Sequence, residues 1–232
     1  MRIAENVARV RAEIADAARA AGRSPEDITL VAAAKTHSAD SVREAIAAGV
    51  DAVGENRAQE MTAKLAEDAY VGAPLHFIGH LQSNKIKNVV GACDLIESAG
   101  SLRTLELIGL RAQSLGIVQK VLIEVNIGKE INKSGVEPEN LYITLENAGK
   151  IEGIAIHGLM AIPPVDTDYT NQMRYFDSMY KLFVDIRERL CNNDTMRYLS
   201  MGMSGSFVAA TRSGANMVRV GSAIFGGRQG AI

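Results

Sequence analysis

The chain has 232 residues, enough for one large domain or two small ones, and is 47% hydrophobic and 22% charged, ordinary values for a protein with a sizeable core. Its 25 basic and 27 acidic residues leave a net charge of −2. The two signs are interspersed, so no global field favours nucleic acid or an anionic membrane. Two cysteines, Cys93 and Cys191, form no metal-ligand or redox spacing; both read as free thiols in a reducing compartment, and the sequons at Asn132 and Asn193 carry little weight there.

Residues 1–21 interrupt their apolar positions with charges every two to four residues, the pattern of an amphipathic helix and not of a signal peptide. No run approaches the ~18 apolar residues that span a bilayer, so a soluble, cytoplasmic protein without a membrane partner is expected. The run ITLVAAA (28–34), β-branched and small, predicts a fully buried strand. Lys35 closes it, and Ser38 or Asp40 is placed to cap a helix over 38–48. Seven more strands are predicted at 51–54, 75–79, 94–97, 120–126, 154–160, 197–201 and 217–220. Helical patterns fill the gaps at about 56–69, 83–90, 101–115, 138–148, 169–190 and 204–214. Eight strands alternating with helices, in a chain near the ~250 residues typical of that architecture, predict a single-domain (β/α)8 barrel (residues 1–232) with an extra N-terminal helix. A doubly wound open sheet is the alternative. No GxGxxG turn follows an early strand to support it.

Both architectures place their chemistry beyond the strand carboxyl ends. Those positions here hold Lys35, Glu55–Asn56, Gly79–His80, Ser98, Asn126, Met160, Ser200 to Ser204, and Gly221–Ser222, a ring of mostly polar or glycine residues. A lysine at the end of a buried strand is disfavoured unless its amine is used, and burial lowers an amine's pKa and makes it a Schiff-base nucleophile. A lysine that merely snorkels to the rim is the plain alternative. The segments LSMGMSGSFVAA (199–210) and MVRVGSAIFGGR (217–228) each join a strand to a helix through glycine and serine. Such turns offer backbone N–H groups and hydroxyls to an anion, as recurs after the last two strands of barrels, or their serines simply cap helices. Arg219 lies between Val218 and Val220. If the valines pack outward, the pleat turns Arg219 into the barrel, either toward Glu124 or Glu55 in an ion pair or toward a cofactor ring.

Together these segments resemble the pyridoxal phosphate homeostasis proteins, single-domain relatives of the alanine racemase barrel. The resemblance runs from about residue 28 to 228 through AAAKTHS, GENRAQE, HFIGHLQSNK, EVNIGKEINKSG, HGLMAIPP, LSMGMS and MVRVGSAIFG. It implies that Lys35 carries pyridoxal 5′-phosphate (PLP) as an internal aldimine and that Arg219 faces the ring nitrogen. It further implies that Ser204, Gly221 and Ser222, with Ser200 nearby, hold the phosphate, and that Asn56 lies beside the cofactor. Two positions depart from the family pattern. Ser206 stands where an acidic residue is common, which puts in doubt the ordering of that turn, and His80 stands where a proline or another residue is frequent.

Arginine cannot accept the ring-nitrogen proton, so the cofactor would be a weak electron sink. Racemisation also needs a base on each face. Lys35 can supply one. In alanine racemases the other is a tyrosine from a separate β-domain, and no stretch of this sequence is left to build one; Tyr70, Tyr142, Tyr169, Tyr175, Tyr180 and Tyr198 occupy unconvincing contexts. The expectation is a monomeric, non-catalytic, metal-free PLP-binding protein of intracellular vitamin B6 homeostasis, with apo PLP enzymes as possible recipients. A PLP-dependent amino-acid racemase is the alternative, and a PLP-free Schiff-base aldolase acting on a phosphorylated sugar is a third, weaker reading.

Overall fold

The computed structural model describes residues 2–164, 169–189 and 195–227; Cys191 and the sequon at Asn193 lie outside them. Eight strands appear in the expected order: β1 (Thr29–Ala33), β2 (Ala52–Glu55), β3 (Leu75–Phe77), β4 (Leu95–Ala99), β5 (Gln119–Val125), β6 (Ile154–Ala161), β7 (Tyr198–Ser200) and β8 (Met217–Val220). Each pairs in parallel with the next, and β8 returns to β1 to close the barrel. Closure settles the choice against an open sheet. Nine α-helices are described: α1 (Ile3–Ala20), α2 (Ala39–Ala47), α3 (Ala58–Leu65), α4 (Ile86–Val89), α5 (Leu102–Ser114), α6 (Leu141–Ala148), α7 (Tyr169–Arg189), α8 (Phe207–Arg212) and α9 (Ser222–Phe225). Ser38 caps α2, its hydroxyl accepting from the Ser41 N–H at 3.2 Å. Among the described residues no helix is long and apolar enough to cross a membrane.

Strand pleating divides the apolar residues into two cores. Val218, Val220, Leu30, Ala32, Val53 and Ile96 join the helices in the larger, outer one. Val31, Ala52, Leu95, Leu122, Met160 and Met217 form a smaller cluster that fills the barrel interior. The register sets Val31 beside Arg219 and Met160 beside Ser200, so Arg219 faces inward between two outward valines, as the pleat predicts. The interior therefore has an apolar floor and, nearer the carboxyl ends, a polar layer of Glu97, Glu124, Ser200 and Arg219, all buried.

The N-terminal segment braces α9 and the connection from α8 to β8. Asn6 Nδ2 donates to the Ile224 carbonyl at 2.7 Å and Arg9 to the Ala223 carbonyl at 2.9 Å. Beyond α1, Arg23 donates to the carbonyls of Thr211 and Ala215 at 3.0 and 2.7 Å. Carbonyls in the last turns of α8 and α9, and that of Ala215 before β8, thus accept from side chains at the other end of the chain. Cys93 is free and buried, and burial pushes its thiol up to about 12, which makes it inert at neutral pH.

Candidate cofactor site

β1 ends two residues before Lys35, which lies in a turn and is exposed. The expected buried, strand-terminal amine is not found: the chain leaves the barrel wall at Ala34, and Lys35 stands exposed beyond it. The turn is closed by the His37 N–H donating to the Ala34 carbonyl at 3.2 Å, with Thr36 at φ +65°. A positive φ at the third turn position alone is the type II pattern, which favours glycine. For β-branched threonine it is a strained conformation, costing on the order of 1–3 kcal/mol.

Lys35 borders a cavity of about 310 Å³ at the carboxyl end of the barrel, shared with His37, Ser204, Arg219, Gly221 and Ser222. Five of the sequence-derived site residues therefore meet around one space, contributed by the turn after β1, the β7–α8 turn, and β8 with the turn that follows it. Among the described residues lining it, the charged ones are Lys35 and Arg219, both cationic. His37 stacks on Phe225 with ring centroids 4.5 Å apart, and burial followed by the Lys64 charge lowers its pKa. Asn56 is elsewhere. It lines a neighbouring space of about 300 Å³ with Lys35, Thr36, Gly79 and His80, and its buried Oδ1 has no hydrogen-bond partner. Gly79 lets this side close: a Cβ there would lie 2.0 Å from the Asn56 carbonyl oxygen.

The two glycine–serine turns are tied to each other. Ser204 Oγ accepts from the Gly221 N–H at 3.1 Å and the Ala223 N–H at 3.2 Å. Ser204 thus caps the partner turn rather than its own helix, and both acceptor positions are filled while its O–H proton is left to donate. Ser206 explains how the turn is ordered without an acid: its hydroxyl accepts from the Met203 N–H at 3.1 Å.

Ser200 and Arg219 belong to a network below the cavity. Ser200 is fully buried. It accepts from Arg219 Nη1 at 2.5 Å and donates to Glu97 Oε2 at 2.6 Å, so its hydroxyl lies away from the two turns and is already engaged. Arg219 Nη2 donates to the Ala161 carbonyl at 2.9 Å, and Nη1 lies 3.7 Å from Glu97 Oε2. The acid paired with Arg219 is Glu97, not Glu124 or Glu55. Glu97 Oε1 also meets His76 Nδ1 at 2.7 Å. Burial alone would raise the Glu97 pKa, but His76, Arg219 and Ser200 outweigh it and hold the carboxyl below its ordinary value. Arg219, whose pKa burial lowers against the pull of Glu97 and Glu124, starts far above neutrality and stays charged.

Lys64 and Glu60 lie on α3, away from the strand ends where the sequence places the site. Lys64 is buried on α3, donating to Glu55 Oε1 at 2.6 Å and to the Ala34 carbonyl at 2.9 Å, and Tyr70 donates to the same Glu55 oxygen at 3.0 Å. Glu60 Oε2 accepts from the Thr36 N–H at 2.9 Å. GENRAQE contained Glu55 and Glu60, but only the fold shows that they flank the Lys35 turn.

The closed parallel barrel matches the fold of the alanine racemase N-terminal domain, and the chain belongs to that family, whose model matches residues 3–229. Within it, the chain is 38% identical over 226 residues to a pyridoxal phosphate homeostasis protein of Pseudomonas aeruginosa, covering 97% of this chain and 96% of that relative. Among solved structures it is similar to an unknown protein from Bifidobacterium adolescentis, 39% identical with a TM-score of 0.90 over 96% of this chain and 94% of that one. It is also similar to PipY of Synechococcus elongatus with PLP bound, 31% identical with a TM-score of 0.82 over 97% of this chain and all of that one.

Proposed function

We propose that this chain is a single-domain protein that binds PLP in the Lys35–Arg219 cavity and serves its homeostasis without a committed catalytic cycle. The observation that carries this reading is the charge and donor pattern of the cavity. A phosphorylated anion entering it meets Lys35, Arg219 and the joined Ser204–Gly221–Ser222 turns, and no carboxylate among the described lining residues. At about 310 Å³ the space is at the small end of ligand pockets, suited to a compact cofactor. The family membership and the PLP-bound relative add to this support.

The residues divide the work. The Ser204 O–H and the N–H and hydroxyl of Ser222 hold the phosphate, since the flanking Gly221 and Ala223 N–H groups donate to Ser204; Gly221 lets the backbone come close, since a Cβ there would lie 3.1 Å from the Ala33 carbonyl oxygen. Lys35 Nζ holds the aldehyde covalently, and Asn56, with its unsatisfied Oδ1, borders the far side. Arg219 faces the ring nitrogen, kept in place by Ser200 and Glu97. When bound, PLP supplies an electron sink, and a guanidinium that cannot take up the ring proton keeps that sink weak. No tyrosine lines the Lys35 cavity among the described residues: Tyr70 is buried against Glu55 and Tyr142 donates to Asp185. The chain acts in the cytoplasm as a monomer that hands PLP to apo-enzymes.

Holo-protein incubated with single L- and D-amino acids in deuterated water is expected to exchange α-protons and change chirality far more slowly than the ~1 s⁻¹ of an ordinary enzyme, while transferring PLP to an apo-enzyme. Turnover at or above that rate would replace the homeostasis reading with a racemase. Ser222→Asp sets a carboxylate against the phosphate and removes a hydroxyl. Charge-assisted contacts contribute about 1.5–3 kcal/mol each, so PLP affinity should fall roughly tenfold to a hundredfold in equilibrium titration. Unchanged affinity would place the phosphate elsewhere.

A further inference from the structure

One helix holds the Lys35 turn from both sides. The residue before Lys35 is gripped through its carbonyl, Ala34 O accepting from Lys64 Nζ at 2.9 Å. The residue after it is gripped through its amide, Thr36 N–H donating to Glu60 Oε2 at 2.9 Å. Glu60 and Lys64 are four residues apart on α3, hence on one face of that helix. Each is itself anchored. Lys64 is buried against Glu55, at 2.6 Å, and Arg57 holds the other oxygen of Glu60 at 3.1 Å. Between the two grips Thr36 stays at φ +65°, which a β-branched residue adopts only when its surroundings impose it. Lys35 itself is exposed, so neither its own packing nor a strand ladder fixes where its amine points.

We propose that Glu60 and Lys64 are positioning residues for Lys35: they hold its turn in the strained conformation that directs Nζ over the cavity. The inference rests on the PLP reading and deepens it. The step served is condensation of the neutral amine with the aldehyde. The amine lone pair forms the new C–N bond, the carbonyl oxygen departs as water with the two amine protons, and no oxidant or reductant takes part. Its rate depends on how often Nζ occupies an attacking geometry, so loosening the turn slows condensation without touching the phosphate site.

The test uses full-length apoprotein and two probes, PLP and the phosphate-free aldehyde pyridoxal, with borohydride trapping at timed intervals and peptide mapping at Lys35. Glu60→Ala is expected to slow labelling by both aldehydes about tenfold or more. Glu60→Gln, whose amide oxygen still accepts from Thr36, should remain within about threefold of wild type. Adding Thr36→Gly to Glu60→Ala should recover part of the loss, because glycine takes the positive φ without a clamp. Hydrogen exchange at the Thr36 amide should quicken in Glu60→Ala and not in Glu60→Gln. If wild type and Glu60→Ala label at the same rate, or Thr36 exchange is unchanged, this inference fails alone. If wild type takes neither aldehyde onto Lys35, the PLP reading fails and takes this inference with it.

Discussion

Lys35→Ala is expected to abolish covalent capture of PLP while leaving the fold within about 0.5 kcal/mol of wild type, the usual range for an exposed side chain. Lys35 is exposed, and its one hydrogen bond among the described residues is made by the backbone, its carbonyl accepting from Thr36 Oγ1 at 2.6 Å, so truncating the side chain leaves no buried partner unsatisfied. Lys64 and Lys85 are poor substitutes. Lys64 lies in the outer layer, buried and tied to Glu55 and the Ala34 carbonyl, and Lys85 lines a separate groove beside Asn56 and His80. The variant should be colourless after incubation with PLP, give no borohydride-fixed adduct, and melt with the wild type. Retained phosphate contacts would still allow weak, non-covalent PLP binding, seen by calorimetry. A fixed adduct on another lysine would show that the aldehyde is held elsewhere and would defeat the assignment.

The barrel was legible because parallel strands buried on both faces read as short apolar runs, and all eight stand out from the amphipathic helices between them. Their ends shifted by a residue or two where a side chain had a second job. β4 continues to Ala99 because Glu97, though charged, turns inward to His76, Ser200 and Arg219. β3 stops at Phe77, before Gly79 closes on Asn56. The ring of strand-end residues was legible for the same reason as the strands, since a barrel gathers them at one mouth. What could not be read was pairing across the barrel. Arg219 needed a buried acid, and Glu55, Glu97 and Glu124 all sit in apolar runs; only closure of the barrel decides that Glu97 is the one. Nor does periodicity reveal that Lys35 stands clear of the wall while Lys64, on an ordinary amphipathic helix, is the buried amine. A threonine at positive φ leaves no mark in composition, because its conformation is imposed by Glu60 and Lys64 from another element.

Reversing the charge at Arg219 tests whether the interior network is a unit. Arg219→Glu places a second carboxylate where the first, Glu97, is fully buried, and it deprives Ser200 and the Ala161 carbonyl of their donors. Breaking a buried pair by removing one partner costs about 3–5 kcal/mol, which approaches the whole stability of many domains. The variant is therefore expected to be largely unfolded at 37 °C, rather than folded with an altered ring environment. Arg219→Glu combined with Glu97→Gln removes the like-charge contact and should recover a sizeable part of the loss in a denaturant titration. The sign of the pH dependence follows from Glu97, whose folded pKa is held below its unfolded value. The wild-type network is at full strength above about pH 4.3, the ordinary glutamate value, and weakens as pH falls through the lower folded pKa. The acid-side loss of stability in the wild type should shrink in Glu97→Gln. A Glu97→Gln protein with the same acid-side slope as wild type, or an Arg219→Glu protein as stable as wild type, would mean that the guanidinium and carboxylate do not sustain each other in the barrel interior.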